Sequence, residues 1–472
     1  MAYISHRLGN VVGGPAVISD RCFRHPEAHY FLSLFKKQVL FISAYKISRH
    51  FNSLLSYDGI PNSQPELEAR QDTHPTWRME SMKFKIVISL NLFLLIACFA
   101  AAQKPCGPTI TPLPSLFVNW PQFHYDAAHS GCNPYETILS PSTVGNLTTD
   151  WTYLNAPGAY TSPVVANGLV YVGMTGSQGQ NTFGTLYAVN ARTGTLSWQY
   201  SLLSYDDGIH YTPAVANGIV YFTTDNGGLY ALDANTGDFI WGQSGNYSPT
   251  VANGVVYAGH GSFLYAYDAK TGNTLWVNNQ IYIGGSSPAV ANGILYVGSL
   301  DYNLYALNAT TGALLWKYAT GSIIESSPTV AGNVVYVGSD DSNLYALNAT
   351  TGALLWKYAA NSYVQDAAAV ADGVVYFGTC CDQNVYALNA KTGALLWKYA
   401  ADSSVESSPM VANGVLYFAD HGKGSFYALN ASTGDLLWKQ TGTIFTTSSP
   451  AVANGIAYFG EDKLYAFHLP GH

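Results

Sequence analysis

Two adjacent cysteines, Cys380 and Cys381, are the residues whose types and spacing point most directly to redox chemistry. They lie in the segment YFGTCCDQN, where the preceding and otherwise similar segment reads YVGSDDSN. A disulfide between neighbouring residues closes a small, strained ring, and strained disulfides are easily reduced. We predict a vicinal disulfide here, with a pair of free thiols as the alternative. We expect the pair to stiffen a turn or to be incidental rather than to catalyse a reaction.

A second group of candidate residues stands three positions before the first proline of each sequence repeat; in the sixth repeat Ala368 replaces that proline. We expect this group to form a binding face around one opening of the fold. Glu325 and Glu406 belong to it, and with Asp366 they offer the carboxylate oxygens that calcium prefers, which predicts a calcium site. The alternative is a hydrated acidic rim without a specific ligand. The binding-face candidates are Tyr160, His210, Asn246, Gly285, Glu325, Gln365, Asp366, Glu406 and Thr447.

These candidates must be positioned by a repeat that dominates the chain after residue 150. The unit SSPAVANGILYVGSLDYNLYALNATTGALLWKY recurs almost unchanged as SSPTVAGNVVYVGSDDSNLYALNATTGALLWKY. Each unit divides into short runs rich in Tyr, Val, Leu and Trp, separated by turn signals such as Asn-Gly, which predicts four antiparallel strands. Repeats of about forty residues with four strands each are typical of β-propeller blades. The tryptophans that close the blades are Trp151, Trp198, Trp241, Trp276, Trp316, Trp356, Trp397 and Trp438.

The number of blades follows from the first-strand segments, which start near eight positions between Pro163 and Pro450. The last unit ends KLYAFHLPGH without a fourth strand, whereas Trp151 belongs to a fourth strand that lacks the preceding three. We therefore predict an all-β fold, an eight-bladed β-propeller of four-stranded antiparallel blades over residues 146–468, in which an N-terminal strand closes the last blade. Such closure removes open sheet edges. Residues 103–145 form a leader segment, in which His124 and His129 are weaker metal-ligand candidates.

The unit LYALNATTGALLWKY closely resembles the repeat of the pyrroloquinoline-quinone (PQQ) propeller family, and WPQFHYDAAHSGCNP resembles the leader of its exported members. The resemblance covers roughly residues 120–468 and implies tryptophans packed between neighbouring blades. The family includes calcium- and PQQ-dependent alcohol dehydrogenases and also a non-catalytic scaffold lipoprotein of outer-membrane assembly. In the dehydrogenases a disulfide between adjacent cysteines lies against the cofactor, and the resemblance implies that role for Cys380 and Cys381.

The distribution of cationic residues weighs against a PQQ site. PQQ carries three carboxylates and requires cationic partners in a desolvated site. Arg192 is the only arginine after residue 82 and falls in a turn on the opposite face, which leaves Lys423 and Lys463 near the predicted rim. No CxxCH motif is present to attach a haem. We therefore predict a non-catalytic binding or scaffold module for an envelope protein or a polysaccharide. The alternative is a PQQ- and calcium-dependent alcohol dehydrogenase.

The segment MKFKIVISLNLFLLIACFAAAQ has the basic start, the apolar run and the small-residue cleavage site of an export signal. We predict a signal peptide over residues 82–102, or a lipoprotein signal that ends at Cys98. The apolar run is too short to span a membrane. Residues 1–81 are expected to be a wrongly assigned upstream segment or a disordered one. We expect a bacterial monomer that is periplasmic, outer-membrane-anchored or extracellular, and its net charge of −8 argues against a nucleic-acid partner.

Overall fold

The computed structural model describes residues 119–153, 158–178, 181–202, 207–442 and 446–471. The predicted signal peptide and lipoprotein cysteine, the segment 1–81 and the first part of the leader lie outside these residues. Across the described part of the chain, no helix has the length and apolar character needed to cross a membrane.

Eight antiparallel sheets of four principal strands each make up the fold, and the sequence prediction of an eight-bladed all-β propeller is confirmed. The first blade consists of β4 Val164–Ala166, β5 Leu169–Gln178, β6 Asn181–Asn190 and β7 Leu196–Ser201. The second consists of β8 Ala214–Ala216, β9 Ile219–Thr223, β10 Gly228–Asp233 and β11 Phe239–Ser244, and the third of β12 Asn246–Ala252, β13 Val255–His260, β14 Phe263–Asp268 and β15 Thr274–Asn278. The fourth consists of β16 Ala289–Ala291, β17 Ile294–Gly298, β18 Asn303–Asn308 and β19 Leu314–Ala319.

The remaining blades follow the same plan, with three short additions from the N-terminal side of the repeats. Their strands are β20 Thr329–Ala331, β21 Val334–Ser339, β22 Asn343–Asn348 and β23 Leu354–Ala359; β24 Ala369–Ala371, β25 Val374–Gly378, β26 Asn384–Asn389 and β27 Leu395–Ala400; β28 Met410–Ala412, β29 Val415–Ala419, β30 Phe426–Asn430 and β31 Leu436–Gln440; β32 Ala451–Ala453, β33 Ile456–Gly460, β34 Leu464–His468 and β2 Thr148–Tyr153. The additions are β1 Cys132–Asn133, β3 Gly158–Tyr160 and a 3-10 helix, Val144–Asn146.

Ring closure occurs where the sequence predicted it. Strand β2 pairs antiparallel with β34, and Trp151 lies opposite Ala466 in that pairing. From the first blade to the seventh, the innermost strands of neighbouring blades contact one another, and β32 contacts β4 across the closing seam. The N-terminal strand therefore covers the edge that blade eight would otherwise expose.

The turn between the first and second strands of a blade explains the recurring Asn-Gly pair. Asn292 and Gly293 have φ values of 53° and 77°. Two successive residues with positive φ are the requirement of a type I′ hairpin, which suits the twist of adjacent strands. These turns mark one face of the ring, and the starts of the innermost strands mark the other.

The closing tryptophans hold successive blades together, as the resemblance to PQQ propellers implied. Each indole N–H donates to a backbone carbonyl of the following blade; Trp316, for example, donates to the oxygen of Ala349 at 3.1 Å. The hydroxyl of Tyr296 donates to the same carbonyl at 2.9 Å. The other pairs are Trp151 with Ala191, Trp198 with Ala234, Trp241 with Ala269, Trp276 with Ala309, Trp356 with Ala390, Trp397 with Ala431 and Trp438 with Leu147.

The leader segment from Trp120 to Asn133, here called the axial leader, runs around the inside of the ring and contacts the innermost strand of every blade. Seven blades donate a backbone N–H to it, and in the eighth the side-chain amide of Asn133 donates to the carbonyl of Val452 at 2.7 Å. The seven donors are Val165, Val215, Val251, Val290, Val330, Val370 and Val411. The axial leader therefore fills the channel as an integral part of the core.

Candidate binding site at the channel mouth

A cavity of about 310 Å³ opens at the end of the channel where the innermost strands begin. We call it the channel mouth. Its lining comes from short segments before the first strand of each blade and from the axial leader. The lining residues are Phe123, Ser162, His210, Tyr211, Thr212, Ser248, Gly285, Ser287, Glu325, Ser327, Gln365, Asp366, Ala367, Glu406, Ser408, Thr447 and Ser449.

Seven of the nine predicted binding-face residues line this cavity, and Tyr160 and Asn246 do not. Tyr160 is only 5% exposed, because the additional strand β3 pairs with the extended β5 and places the ring in the hydrophobic core. Asn246 is the first residue of β12, and its side-chain oxygen accepts the backbone N–H of Tyr247. Placing these two residues on the binding face was therefore wrong.

One side of the channel mouth is acidic. The amide nitrogen of Gln365 donates to Glu325 at 3.1 Å and to Asp340 at 3.2 Å, so it bridges two carboxylates. Burial raises the pKa of Glu325, and the charge of Asp340 raises it further. Burial likewise raises the pKa of Asp340. Because mutual repulsion and partial burial both disfavour ionisation, this side of the mouth favours protons or hydrogen-bond donors.

Asp366 and Glu406 extend the acidic side into the next two blades. Burial, followed by repulsion from Glu406, raises the pKa of Asp366 to about 7. The carboxylate of Glu406 accepts the hydroxyl of Ser404 at 3.0 Å and lies 3.5 Å from Nδ1 of His421. Asp366 therefore titrates near neutral pH, which gives the mouth a charge that depends on pH.

The adjacent cysteines lie beside this acidic cluster. The two sulfurs are 3.0 Å apart, both residues are free cysteines in this structure, and Sγ of Cys380 lies 3.9 Å from Glu406. Burial, the contact with Cys381 and the charges of Glu406 and Asp366 raise the pKa of Cys380 to about 12. The vicinal disulfide stays a prediction, since the structure has the reduced pair.

The opposite side of the mouth carries a histidine and two aromatic rings. Nδ1 of His210 lies 2.7 Å and 2.8 Å from the two carboxylate oxygens of Asp225. Beside it, the ring of Tyr211 packs edge-on against Tyr247. Phe123, from the axial leader, forms an apolar part of the lining. The sequence analysis overlooked Asp225, Tyr211 and Phe123, although the position of His210 could have indicated its neighbour.

Three aspartates of the second hairpin loops hold their own loops in place. Asp301 and Asp341 each accept the hydroxyl of a tyrosine in the following strand and the backbone N–H of an asparagine. Asp382 does the same with Tyr386 and Asn384. Such contacts hold the loop in place, as is usual for aspartate in turns.

The leader histidines are not arranged as metal ligands. His124 is buried, with its ring nitrogens 2.8 Å from the carbonyl oxygen of His129 and 2.7 Å from that of Pro409. His129 is fully buried and contacts the carbonyl of Pro328 and the hydroxyl of Thr250. Burial lowers the pKa of both histidines. They tie the axial leader to the innermost strands.

The predicted calcium ligands lie around the same cavity without converging. Among the described residues, no group of three or more His, Cys, Asp or Glu is arranged to hold a metal ion. Glu325 is engaged by Gln365, and Glu406 is engaged by Ser404 and His421. The structure therefore does not assemble Glu325, Asp366 and Glu406 into a calcium site.

The mouth also lacks the charge that PQQ requires. The described residues that line it include three carboxylates but no lysine or arginine. Lys423 pairs with Asp402 instead, at 3.6 Å, and neither Lys423 nor Lys463 is part of the lining. A cofactor with three carboxylates would be repelled here, so the residues present do not fit it.

The repeats match a model of the family described as outer membrane protein assembly factor BamB, over residues 182–282, 260–380 and 362–469. These overlapping matches span more than half of the chain. The repeats thus define a propeller of the PQQ-like repeat class. The chain belongs to the BamB-type family of PQQ-like repeat propellers.

Part of the chain is similar in sequence to a quinone-dependent alcohol dehydrogenase. The dehydrogenase subunit of a quinone-dependent alcohol dehydrogenase from Komagataeibacter europaeus is 31% identical over 134 residues, which are 26% of this chain and 17% of that protein. The match thus spans about a sixth of the length of this curated relative. A match of this length does not establish that this chain shares the relative's activity.

Two solved structures share the architecture. The quinohemoprotein alcohol dehydrogenase ADHIIG of Pseudomonas putida HK5 superposes with a TM-score of 0.64 at 18% identity, covering 75% of this chain and 81% of that one. BamB from Moraxella catarrhalis gives a TM-score of 0.56 at 20% identity, covering 69% and 98%. At these identities the similarity establishes the fold alone.

Proposed function

We propose that this protein is an exported cell-envelope propeller that acts as a non-catalytic binding or scaffold module, with the channel mouth as its binding site. The observation that carries the proposal is the composition of the mouth, where the described lining residues include Glu325, Asp366 and Glu406 but no lysine or arginine. That composition opposes an anionic quinone and suits a ligand that donates hydrogen bonds. The partner class is an envelope protein or a polysaccharide.

Membership in the BamB-type family supports a scaffold role, because the family description names an assembly factor rather than an enzyme. The short loops point the same way. Hairpins such as Asn292–Gly293 leave a rigid ring, and rigid repeat scaffolds present binding surfaces rather than mobile lids. Export is supported by the signal-like segment and by Cys132, which is disulfide-bonded.

The second candidate is a PQQ- and calcium-dependent alcohol dehydrogenase. The match to the quinone-dependent dehydrogenase subunit favours it, as does the position of Cys380 and Cys381 beside Glu406. The lining of the mouth opposes it, since neither the cations for PQQ nor a converging set of calcium ligands is present among the described residues.

One experiment separates the two candidates. PQQ is titrated into the purified full-length protein with calcium present, and binding is followed by quenching of tryptophan fluorescence while alcohol-dependent dye reduction is assayed. A quinohemoprotein alcohol dehydrogenase serves as the positive control. We expect neither saturable binding nor dye reduction. Calcium-dependent PQQ binding together with alcohol-dependent reduction would replace the binding module with the dehydrogenase.

Export has its own test, which is mass spectrometry of the native N-terminus. We expect a chain that starts at Gln103 or an acylated Cys98. Recovery of peptides from residues 1–78 in the mature protein would contradict the proposed processing.

A further inference from the structure

Six buried hydroxyl side chains encircle the channel mouth beneath its acidic rim. Each stands immediately before the proline at the beginning of an innermost-strand segment, and each is only 4–7% exposed. All six line the cavity. They are Thr212, Ser248, Ser287, Ser327, Ser408 and Ser449. We call them the hydroxyl ring.

The hydrogen bonds of the ring leave its hydroxyl hydrogens unused. The oxygen of Ser287 accepts the backbone N–H of Ser248 at 3.2 Å, and the oxygen of Ser327 accepts that of Ser287 at 2.9 Å. Ser248, Ser408 and Ser449 likewise accept an N–H from the preceding blade. No acceptor for the O–H of these five serines is found among the residues that the structure describes.

The hydroxyl of Thr212 differs from those of the five serines because it neither donates nor accepts a hydrogen bond within the described residues. Thr212 is 5% exposed and lines the cavity. A hydroxyl at a cavity wall can donate a hydrogen bond to a molecule that occupies the cavity. The ring therefore presents hydrogen-bond donors to whatever enters the mouth.

The rim above the ring has the opposite character. The carboxylate of Asp366 has no donor among the described residues, and Glu325 and Glu406 supply further acceptors. The rings of Phe123 and Tyr211 add apolar surface on the same cavity. A fitting ligand must accept hydrogen bonds at one edge, donate them at another and offer an apolar face.

We propose that the channel mouth binds an uncharged sugar residue, such as the terminal pyranose of a polysaccharide. Sugar hydroxyls both accept and donate hydrogen bonds, and the C–H face of a pyranose packs on aromatic rings. An ammonium or guanidinium group has no acceptor for the hydroxyl ring, and an anion would be repelled by the rim. A cavity of about 310 Å³ is at the small end of ligand pockets, which suits one sugar ring. This inference rests on the proposed binding function and names its ligand class.

Calorimetry on the full-length protein tests the inference. Cellotriose, maltotriose and chitotriose are the uncharged probes, and trigalacturonic acid and trilysine are the charged ones. We expect at least one uncharged probe to bind and neither charged probe to do so. Thr212→Val should weaken that binding by about tenfold, because it removes one donor from the ligand. Since the Thr212 hydroxyl has no partner among the described residues and valine has the same shape, the melting temperature should not fall.

Ser286→Ala is the matched control. Ser286 is a buried serine next to the ring, but its oxygen accepts the N–H of Gly298 at 2.9 Å and it does not line the cavity. Its replacement should lower stability and leave sugar affinity unchanged. Equal loss of affinity in Thr212→Val and Ser286→Ala would overturn the inference, since the effect would then be structural.

The remaining outcomes separate this inference from the proposed function. Failure of all three uncharged probes, or binding of trilysine at the mouth, overturns the sugar assignment while leaving a binding module in place. Calcium-dependent PQQ binding in the earlier titration overturns the binding module itself.

Discussion

Gly352 of the fifth blade lies directly against the indole ring of Trp316 in the fourth. A Cβ atom on Gly352 would be 2.7 Å from Cε3 of Trp316, and the φ of Gly352 is +72°. The same turn carries Ala349, whose carbonyl accepts the indole N–H. One short turn therefore both covers and hydrogen-bonds the tryptophan of the preceding blade, and neighbour contacts of this kind hold a repeat protein together.

Gly352→Ala should lower the free energy of unfolding by about 3 kcal/mol, since an L side chain at positive φ costs about 1 kcal/mol and the clash with Trp316 adds about 2 kcal/mol. Gly293→Ala is the control. Its φ is +77°, but a Cβ there meets nothing within 4 Å, so about 1 kcal/mol should be lost. Urea denaturation measures both. Equal losses would show that the contact with the indole contributes nothing.

Tyr417 should behave differently from its counterparts in other blades. Its hydroxyl is buried and has no hydrogen-bond partner among the described residues, whereas the hydroxyl of Tyr376 donates to the carbonyl of Ala431 at 3.0 Å. Tyr417→Phe should therefore leave stability unchanged or raise it by about 1 kcal/mol, while Tyr376→Phe should lower it by about 1 kcal/mol. Thermal unfolding of the two variants checks the pair. A loss in Tyr417→Phe as large as in Tyr376→Phe would reveal a partner for its hydroxyl.

The fold could be predicted from the sequence because each blade is a local unit. Four strands follow one another within about forty residues, and turns such as Asn292–Gly293 set their register. The course of the axial leader could not be predicted in this way. Its contacts are made with backbone N–H groups of valines in seven blades and with the carbonyl of Val452 in the eighth, and side-chain patterns do not encode such contacts.

The site was predictable where the repeats place equivalent residues, three positions before the first proline, at the channel mouth. Glu325, Gln365 and Glu406 occupy equivalent positions and therefore meet at one mouth. Tyr160 is an exception because β3, which precedes only the first blade, turns its ring into the core. The hydroxyl ring was visible as the Ser or Thr before each proline, but only the structure shows that its hydroxyl hydrogens lack acceptors among the described residues.

Asp366 predicts a pH dependence of stability. Its folded pKa of about 7 lies above the ordinary value of 3.8, so between those pH values the folded state holds a proton that the unfolded state has released. The titration of Asp366 therefore lowers the free energy of unfolding as the pH rises from about 4 to 7. Asp366→Asn should therefore be more stable than the wild type by roughly 1–2 kcal/mol at pH 8 and equally stable near pH 3.

Glu406→Gln provides the control for that titration. Removing the neighbouring charge should lower the pKa of Asp366 and shift the pH dependence to lower pH. Urea denaturation between pH 3 and 8 measures the free energy of unfolding of the wild type, Asp366→Asn and Glu406→Gln. A constant difference between wild type and Asp366→Asn at every pH would contradict the assigned titration.

The adjacent cysteines should be dispensable for folding. Tyr386 and Asn384 hold this loop through Asp382, and neither contact involves a sulfur. The double variant Cys380→Ser with Cys381→Asp should therefore keep the melting temperature of the wild type within about 2 °C, as expected for changes away from the core. Differential scanning calorimetry checks this.

Alkylation tests the environment of the same pair. In the reduced protein, iodoacetamide at pH 8 should modify the exposed Cys381 before Cys380, because the thiolate is the reactive form and the pKa of Cys380 is raised to about 12. Glu406→Gln should accelerate the reaction of Cys380, since it removes one of the charges that raise this pKa. Peptide mass spectrometry gives both rates.

A redox activity that disappears in the double cysteine variant while its melting temperature is retained would make the pair catalytic and would contradict the structural role assigned to it.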